Sequence, residues 1–271
     1  MTIDTAKVAD ILRHVADTEV LPRFKNLAEG EVREKNPGDF VTVADEASEK
    51  ALSALLREYL PGSDVVGEEA VSKDEKVLEK LQSDKPIWVV DPIDGTYNFA
   101  HGRSKFGILV ALVQNNVTQY GWVFDAPGGR MAIAGKGEGA TINGEKAMMR
   151  KSAEKLSDMV GMGGGGQAWH FEPIKDTVKE VINVRSSLHD FLNIAAGDAD
   201  FIVHINKVTP WDHSASVLLA EEAGAYVRLA GENVPFAPSM LKHCMLIAAA
   251  DQNRWQMLEA ELYPRLTKKR A

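Results

Sequence analysis

A chain of 271 residues, 45% hydrophobic and 26% charged, is long enough to close one large core or two small ones and too apolar to stay disordered. With 31 basic side chains against 39 acidic ones the formal charge is −8, the wrong sign for gripping nucleic-acid phosphates or an anionic membrane surface. A lone cysteine, Cys244, excludes an internal disulfide framework and points to a reducing compartment, so a cytoplasmic location is expected. The first residues carry charges throughout, with no apolar stretch of signal-peptide length. The longest apolar run, 106–113, is less than half of the roughly 18–20 residues that a spanning helix needs.

Val8, Ile11, Leu12 and Val15 recur at helical spacing, which predicts an opening amphipathic helix that Pro22 ends or bends. A second helix is expected over 45–59, with Leu52, Leu55, Leu56 and Tyr59 on one stripe and Pro61-Gly62 as its stop. A short strand follows over 64–67, then a charged helix near 74–82. Ile87-Trp88-Val89-Val90 then reads as a buried strand that delivers its carboxyl end to Asp91.

Over 106–142 the pattern changes to strands separated by Asn115-Asn116 and Ala126-Pro127-Gly128-Gly129 and closed by Asn143-Gly144, an antiparallel meander. The basic, methionine-containing stretch 146–155 marks the boundary expected between an N-terminal α+β half, 1–146, and a C-terminal α/β half, 147–271. In the second half, helix signals over 172–182, 187–196 and 212–223 interleave with strand-like runs over 201–205, 226–229 and 245–248.

Gly161-Met162-Gly163-Gly164-Gly165-Gly166 formally satisfies a dinucleotide fingerprint, yet no helix opens at its last glycine, because the chain runs on to Glu172-Pro173. The expectation there is a flexible loop forming a mobile rim of a site. The seven histidines show no zinc-ligand spacing, which leaves His101, His189, His204 and His213 without a role. A serine-hydrolase elbow is absent as well.

Several acids instead stand where elements end. Asp91 and Asp94 directly follow the buried strand, in a turn that Pro92 and Gly95 make tight. Two carboxylates about 4 Å apart repel by roughly 4 kcal/mol at an effective dielectric of ~20, so the pair needs a cation or a shifted pKa. Mg²⁺ suits an all-oxygen donor set and characteristically joins carboxylates to a substrate phosphate. Glu68 ends the short strand after Gly67, Asp212 is placed at a helix N-cap, and Asp45 follows Phe40-Val41-Thr42.

Taken together these residues resemble the inositol monophosphatase family of Mg²⁺-dependent, lithium-sensitive phosphomonoesterases, over nearly the whole chain and in the family's order. Four blocks carry the resemblance: 39–45, Gly67-Glu68-Glu69, 88–96 followed by Asn98-Phe99, and Trp211-Asp212 with Glu222-Ala223-Gly224. Gly137, Gly139, Ala140 and Asn143-Gly144 fit the same family's meander. The resemblance implies a layered αβαβα sandwich, an antiparallel-sheet half packed on a mixed-sheet α/β half, with the site between them.

It further implies that Glu68, Asp91, the carbonyl of Ile93, Asp94 and Asp212 hold two or three Mg²⁺ ions. Thr96, hydrogen-bonded to Asp45, would orient or deprotonate the attacking water together with Glu68. Ile93, Asp94, Gly95, Thr96 and Asp212 would meet the substrate, with the N–H groups of Gly95 and Thr96 cradling its phosphate. A homodimer is implied too. The expected substrate is a small phosphorylated polyol, foremost inositol monophosphate. Fructose 1,6-bisphosphate, histidinol phosphate and phosphoadenosine phosphate stand as alternatives on the same fold, and a non-catalytic regulatory interaction protein as an alternative of another class. One position departs from the pattern: seven residues before Asp212, where the family's inositol phosphatases carry a ring-contacting glutamate, stands Ile205, flanked by His204 and Asn206. Ser187 falls near the place of a further sugar contact.

Overall fold

The computed structural model describes residues 3–205 and 207–267, so Asn206 lies outside the described residues. The opening stripe forms α1 (Thr5–Val15), which runs through a wider π turn into a short 3₁₀ turn holding Pro22. A hairpin of β1 (Val32–Asn36) and β2 (Asp39–Thr42) leads into α2 (Val43–Tyr59). Then come β3 (Asp64–Gly67), α3 (Glu68–Lys73), β4 (Ile87–Asp94) and the single turn α4 (Thr96–Ala100). The meander follows as β5 (Gly107–Gln114), β6 (Val117–Asp125), β7 (Arg130–Gly135), β8 (Gly139–Ile142) and β9 (Glu145–Lys146). The rest comprises β10 (Val160–Gly164), β11 (Glu180–Ile182), α5 (Ser187–Ala195), β12 (Phe201–His204), β13 (Lys207–Val208), α6 (Pro210–Glu222), β14 (Tyr226–Leu229), β15 (Lys242–His243), β16 (Leu246–Ala249) and α7 (Gln252–Thr267).

Strands β3 to β9 form one sheet in chain order, with β3 parallel to β4 and every later pair antiparallel. A second, mixed sheet has the order β11-β10-β12-β16-β14. Alternation along the strands stacks the layers. Trp88, Val90, Ile108 and Val110 face Leu12, Leu52 and Leu56 of α1 and α2, whereas Ile87, Val89, Leu109 and Ala111 face Leu188 of α5 and Leu218 of α6. The other side of those two helices, through Phe191, Ile194 and Val217, meets Met162, Ile202 and Ala248 of the second sheet. Phe201, Val203 and Ile247 on its far side are covered by Trp255 and Leu258 of α7. The result is a five-layer αβαβα sandwich. Among the described residues no helix is long and apolar enough to cross a membrane.

Three sequence expectations need correction. Residues 75–82 coil as a 3₁₀ helix. No helix covers 172–182: a 3₁₀ stretch holding Pro173 ends at Ile174, and the β-branched Val181 and Ile182 pair in parallel with β10. The glycine run is no loop over most of its length, since Gly161, Gly163 and Gly164 lie in the buried strand β10. A Cβ on Gly161 would stand 2.1 Å from the Phe201 ring, and one on Gly163 would stand 2.7 Å from Val181. These glycines make room for side chains of neighbouring elements.

Candidate active site

Parallel pairing sets Gly67 opposite Val90, so Glu68, just past β3, stands beside Asp91 of β4. Gly67 is required there, because a Cβ would lie 2.3 Å from the carboxyl carbon of Glu49, which accepts from the N–H groups of Glu69 and Ala70. Beyond Asp91 the pairing of β4 with β5 breaks register until Asp94, which frees the intervening turn. Gly95 has φ +83°, and a Cβ on it would meet the carbonyl of Lys105 at 2.6 Å, so only glycine turns the chain into α4.

Thr96 opens that turn with its hydroxyl 3.1 Å from Asp45 Oδ1 and 2.8 Å from the carbonyl of Ile93. Asp45 sits in the first turn of α2, where its Oδ2 closes a capping box by accepting from the N–H and hydroxyl of Thr42. That leaves Oδ1 for Thr96. Burial, partly offset by the bonds from Thr42, pushes the Asp45 carboxyl up to about 7.

Asp212 enters from the second half. It was expected as an N-cap, but Thr209 caps α6 and Pro210 takes the first helical position, as the fixed φ of proline favours. Asp212 therefore stands one turn in, its Oδ2 accepting from the Thr209 hydroxyl at 2.6 Å. In consequence one carboxylate oxygen each of Asp91, Asp94 and Asp212 falls within 4.8 Å of the others.

Burial, with the charges of Glu68, Asp212 and Asp94, drives the Asp91 carboxyl well above its usual range. Burial and Asp212 push Asp94 up to about 7. Glu68 is raised by burial, and the Lys35 ammonium 2.8 Å away offsets part of the effect. Asp91 Oδ1 is buried and has no hydrogen-bond partner among the described residues. An unpartnered carboxylate oxygen among like charges is costly in a dry site, and a hard divalent cation answers both deficits, so the donor set fits Mg²⁺.

Beside the acids opens a cleft of about 490 Å³. It is lined by Glu68, Asp94, Gly95, Thr96, Ser187 and Asp212 together with Gly164, His170, Arg185, His204, Lys207 and His213. Ile205 does not face it. Its side chain packs with Phe171 and Met245 and borders a different cavity. The strand period places His204 towards the cleft instead, with Nε2 3.0 Å from Asp190 Oδ2 and Nδ1 3.2 Å from His213 Nε2. The Ser187 hydroxyl reaches the carbonyl of Asp212 at 3.2 Å.

A model of the inositol monophosphatase family matches residues 4–269. The chain belongs to that family. It is a phosphatase acting on phosphomonoesters, as the family's curated members are. An inositol-1-monophosphatase of Mycobacterium leprae is 34% identical over 218 residues, 76% of this chain and 74% of its own. A fructose-1,6-bisphosphatase/inositol-1-monophosphatase of Thermotoga maritima is 30% identical over 199 residues, 72% of this chain and 73% of its own. The structure of a Thermotoga maritima IMPase superposes with a TM-score of 0.81 at 23% identity, covering 97% of this chain and all of that one.

Sequence reasoning missed several residues at the inositol monophosphatase-type site. Lys35, in the β1–β2 hairpin, carries no motif, yet its ammonium bridges Glu68 and Glu69 at 2.8 and 3.0 Å. Arg185 lays its guanidinium 3.3 Å from the centroid of the Tyr97 ring. His204 was visible only as a histidine without a role, flanking Ile205 in the strand-like run 201–205.

Proposed function

We propose that the protein is a Mg²⁺-dependent phosphomonoesterase for a small polyol phosphate, foremost inositol monophosphate. The observation that carries this reading is the convergence of Asp91, Asp94 and Asp212 within 4.8 Å, beside the Thr96–Asp45 pair. Glu68, Asp91, the carbonyl of Ile93, Asp94 and Asp212 would hold two or three ions, between halves 1–146 and 147–271. When bound, Mg²⁺ stabilises charge on the transferred phosphoryl group and lowers the pKa of an attacking water.

The chain's own groups do the rest. Glu68 and the Thr96 hydroxyl orient the nucleophile, and Thr96 relays its proton towards Asp45, whose carboxyl at about 7 is poised to exchange one near neutrality. Gly95 and Thr96 offer backbone N–H groups to the phosphate, and the absent side chain of Gly95 admits it closely. No covalent enzyme intermediate is needed.

One observation favours a second substrate class. Arg185 and Lys207 line the cleft with no acidic partner among the described residues, so an alcohol bearing another anionic group, such as fructose 1,6-bisphosphate, is the alternative. The bifunctional Thermotoga relative supports it.

The test is phosphate release from inositol 1-phosphate, fructose 1,6-bisphosphate, histidinol phosphate and phosphoadenosine phosphate, with Mg²⁺, with EDTA, with Li⁺ and with the Asp91→Asn protein. Release that depends on Mg²⁺, falls with Li⁺ and vanishes in the variant is expected. Full activity of Asp91→Asn refutes the metal assignment. Silence of the folded protein across the panel would favour the regulatory interaction protein.

A further inference from the structure

Behind the acidic cluster lies a line of buried polar groups that the proposed chemistry does not use. Asp94 receives three hydrogen bonds from the start of α5: the Ser186 hydroxyl and the Leu188 N–H donate to Oδ2, and the Ser187 N–H donates to Oδ1. The Ser186 hydroxyl has one proton, and Asp94 takes it. Anything else near that oxygen must donate to it. The His189 backbone N–H approaches at 3.4 Å and His189 Nδ1 at 2.9 Å, so Nδ1 carries a proton.

Across the ring, His189 Nε2 is buried without a hydrogen-bond partner among the described residues and faces Asp125 Oδ1 at 3.5 Å. Asp125 ends β6 in the first sheet, and its carboxylate accepts from the Gly128 N–H at 2.9 Å and Arg130 Nε at 3.0 Å. Ser186, His189 and Asp125 are each less than 5% exposed. A continuous buried path therefore runs from β6 through α5 to Asp94. Burial would raise the Asp125 carboxyl, yet His189, Gly128 and Arg130 hold it down at about 2.

We propose that His189 is a positioning residue for Asp94, acting through Ser186: by donating to Ser186 Oγ it forces the hydroxyl proton onto Asp94. Asp94 is thereby held where its oxygen stays within 4.8 Å of Asp91 and Asp212. Asp125 orients the ring from behind. This role rests on the reading of Asp94 as a metal ligand.

The two polar isosteres of histidine separate this role from simple packing. Asparagine puts its amide nitrogen near the place of Nδ1, and glutamine puts its own near Nε2. Mn²⁺ alone is titrated into the full chain by calorimetry, and urea unfolding in EDTA confirms that each variant folds. His189→Gln is expected to weaken Mn²⁺ binding roughly 10–100-fold, the usual cost of losing a partner that orients a ligand. His189→Asn stays within about threefold of the parent, since it still donates to Ser186. Ser186→Ala reproduces the loss, and adding His189→Gln to it changes nothing further. Equal affinities for His189→Asn and His189→Gln, or no loss in Ser186→Ala, overturn the positioning role and leave His189 as core. If Asp94→Asn binds Mn²⁺ as the parent does, the reading of Asp94 as a ligand fails, and the positioning role fails with it.

Discussion

Asp91→Asn should abolish turnover and, without metal, stabilise the fold. Two full charges 4.8 Å apart repel by about 3.5 kcal/mol at an effective dielectric of ~20, and Asp91 faces two such neighbours, Asp94 and Asp212. Partial protonation relieves some of this, because burial and Asp212 hold the Asp94 carboxyl near 7. A net gain of about 2–4 kcal/mol is therefore expected for the metal-free variant near pH 8. The asparagine amide also gains an acceptor in Asp212, which the aspartate could meet only when protonated.

The assay is urea unfolding followed by the buried tryptophans Trp88, Trp122 and Trp255, in EDTA and in excess Mg²⁺. In EDTA the variant should unfold at higher urea than the parent. In Mg²⁺ at 1,000 times Kd the order should invert, since binding then adds about 4.1 kcal/mol to the parent alone. The pH dependence has a definite sign. The folded chain keeps the Asp94 proton to about 7, against an ordinary 3.8, so it binds more protons than the unfolded chain between those values. Stability of the metal-free parent should thus fall as pH rises through that window, and the variant should flatten the fall. A variant no more stable than the parent in EDTA at pH 8 refutes the charge argument.

Thr96→Ala should cut turnover by about 10²–10⁴ while leaving the Mg²⁺ isotherm unchanged, and Thr96→Ser should restore it; equal losses in both would assign Thr96 to packing. Gly161→Ala should destabilise the protein by roughly 1–3 kcal/mol in urea, since its methyl would press on the Phe201 ring; an unchanged midpoint would contradict the buried strand. His204→Gln should raise KM roughly tenfold, about the worth of one hydrogen bond, whereas Ile205→Val should leave KM alone. The reverse result would restore Ile205 to the cleft.

What the sequence made legible was local. Ile87-Trp88-Val89-Val90 needs only its own β-branched run to be a strand, and the fixed φ of Pro92 and the freedom of Gly95 at positive φ suffice to turn it, so the positions of Asp91, Asp94 and Thr96 followed directly. Glu68 was placed as well, because a strand of four residues that starts after Pro61-Gly62 and ends at Gly67 leaves little freedom. What failed depended on partners distant in the chain. The glycines of β10 are explained by Phe201 and Val181, which the composition of 161–166 does not announce, and their flexibility in isolation pointed the wrong way.

Position 205 failed for another reason. Counting back from Trp211-Asp212 crosses β13, where the chain leaves the sheet, and a count through irregular backbone loses the face. Counting forward from Phe201 along β12 keeps the period of two and puts His204, like Ile202, on the side of α5 and α6. The same logic explains why His189 looked idle. Its neighbours Ser186 and Asp190 are local, but the carboxylates that give it a task, Asp94 and Asp125, come from two strands of the other sheet and meet it only when the central helix layer is in place. Residues that carry charge chemistry at a strand's end can be read from the strand. Residues that hold them in position are legible only from the packing between layers.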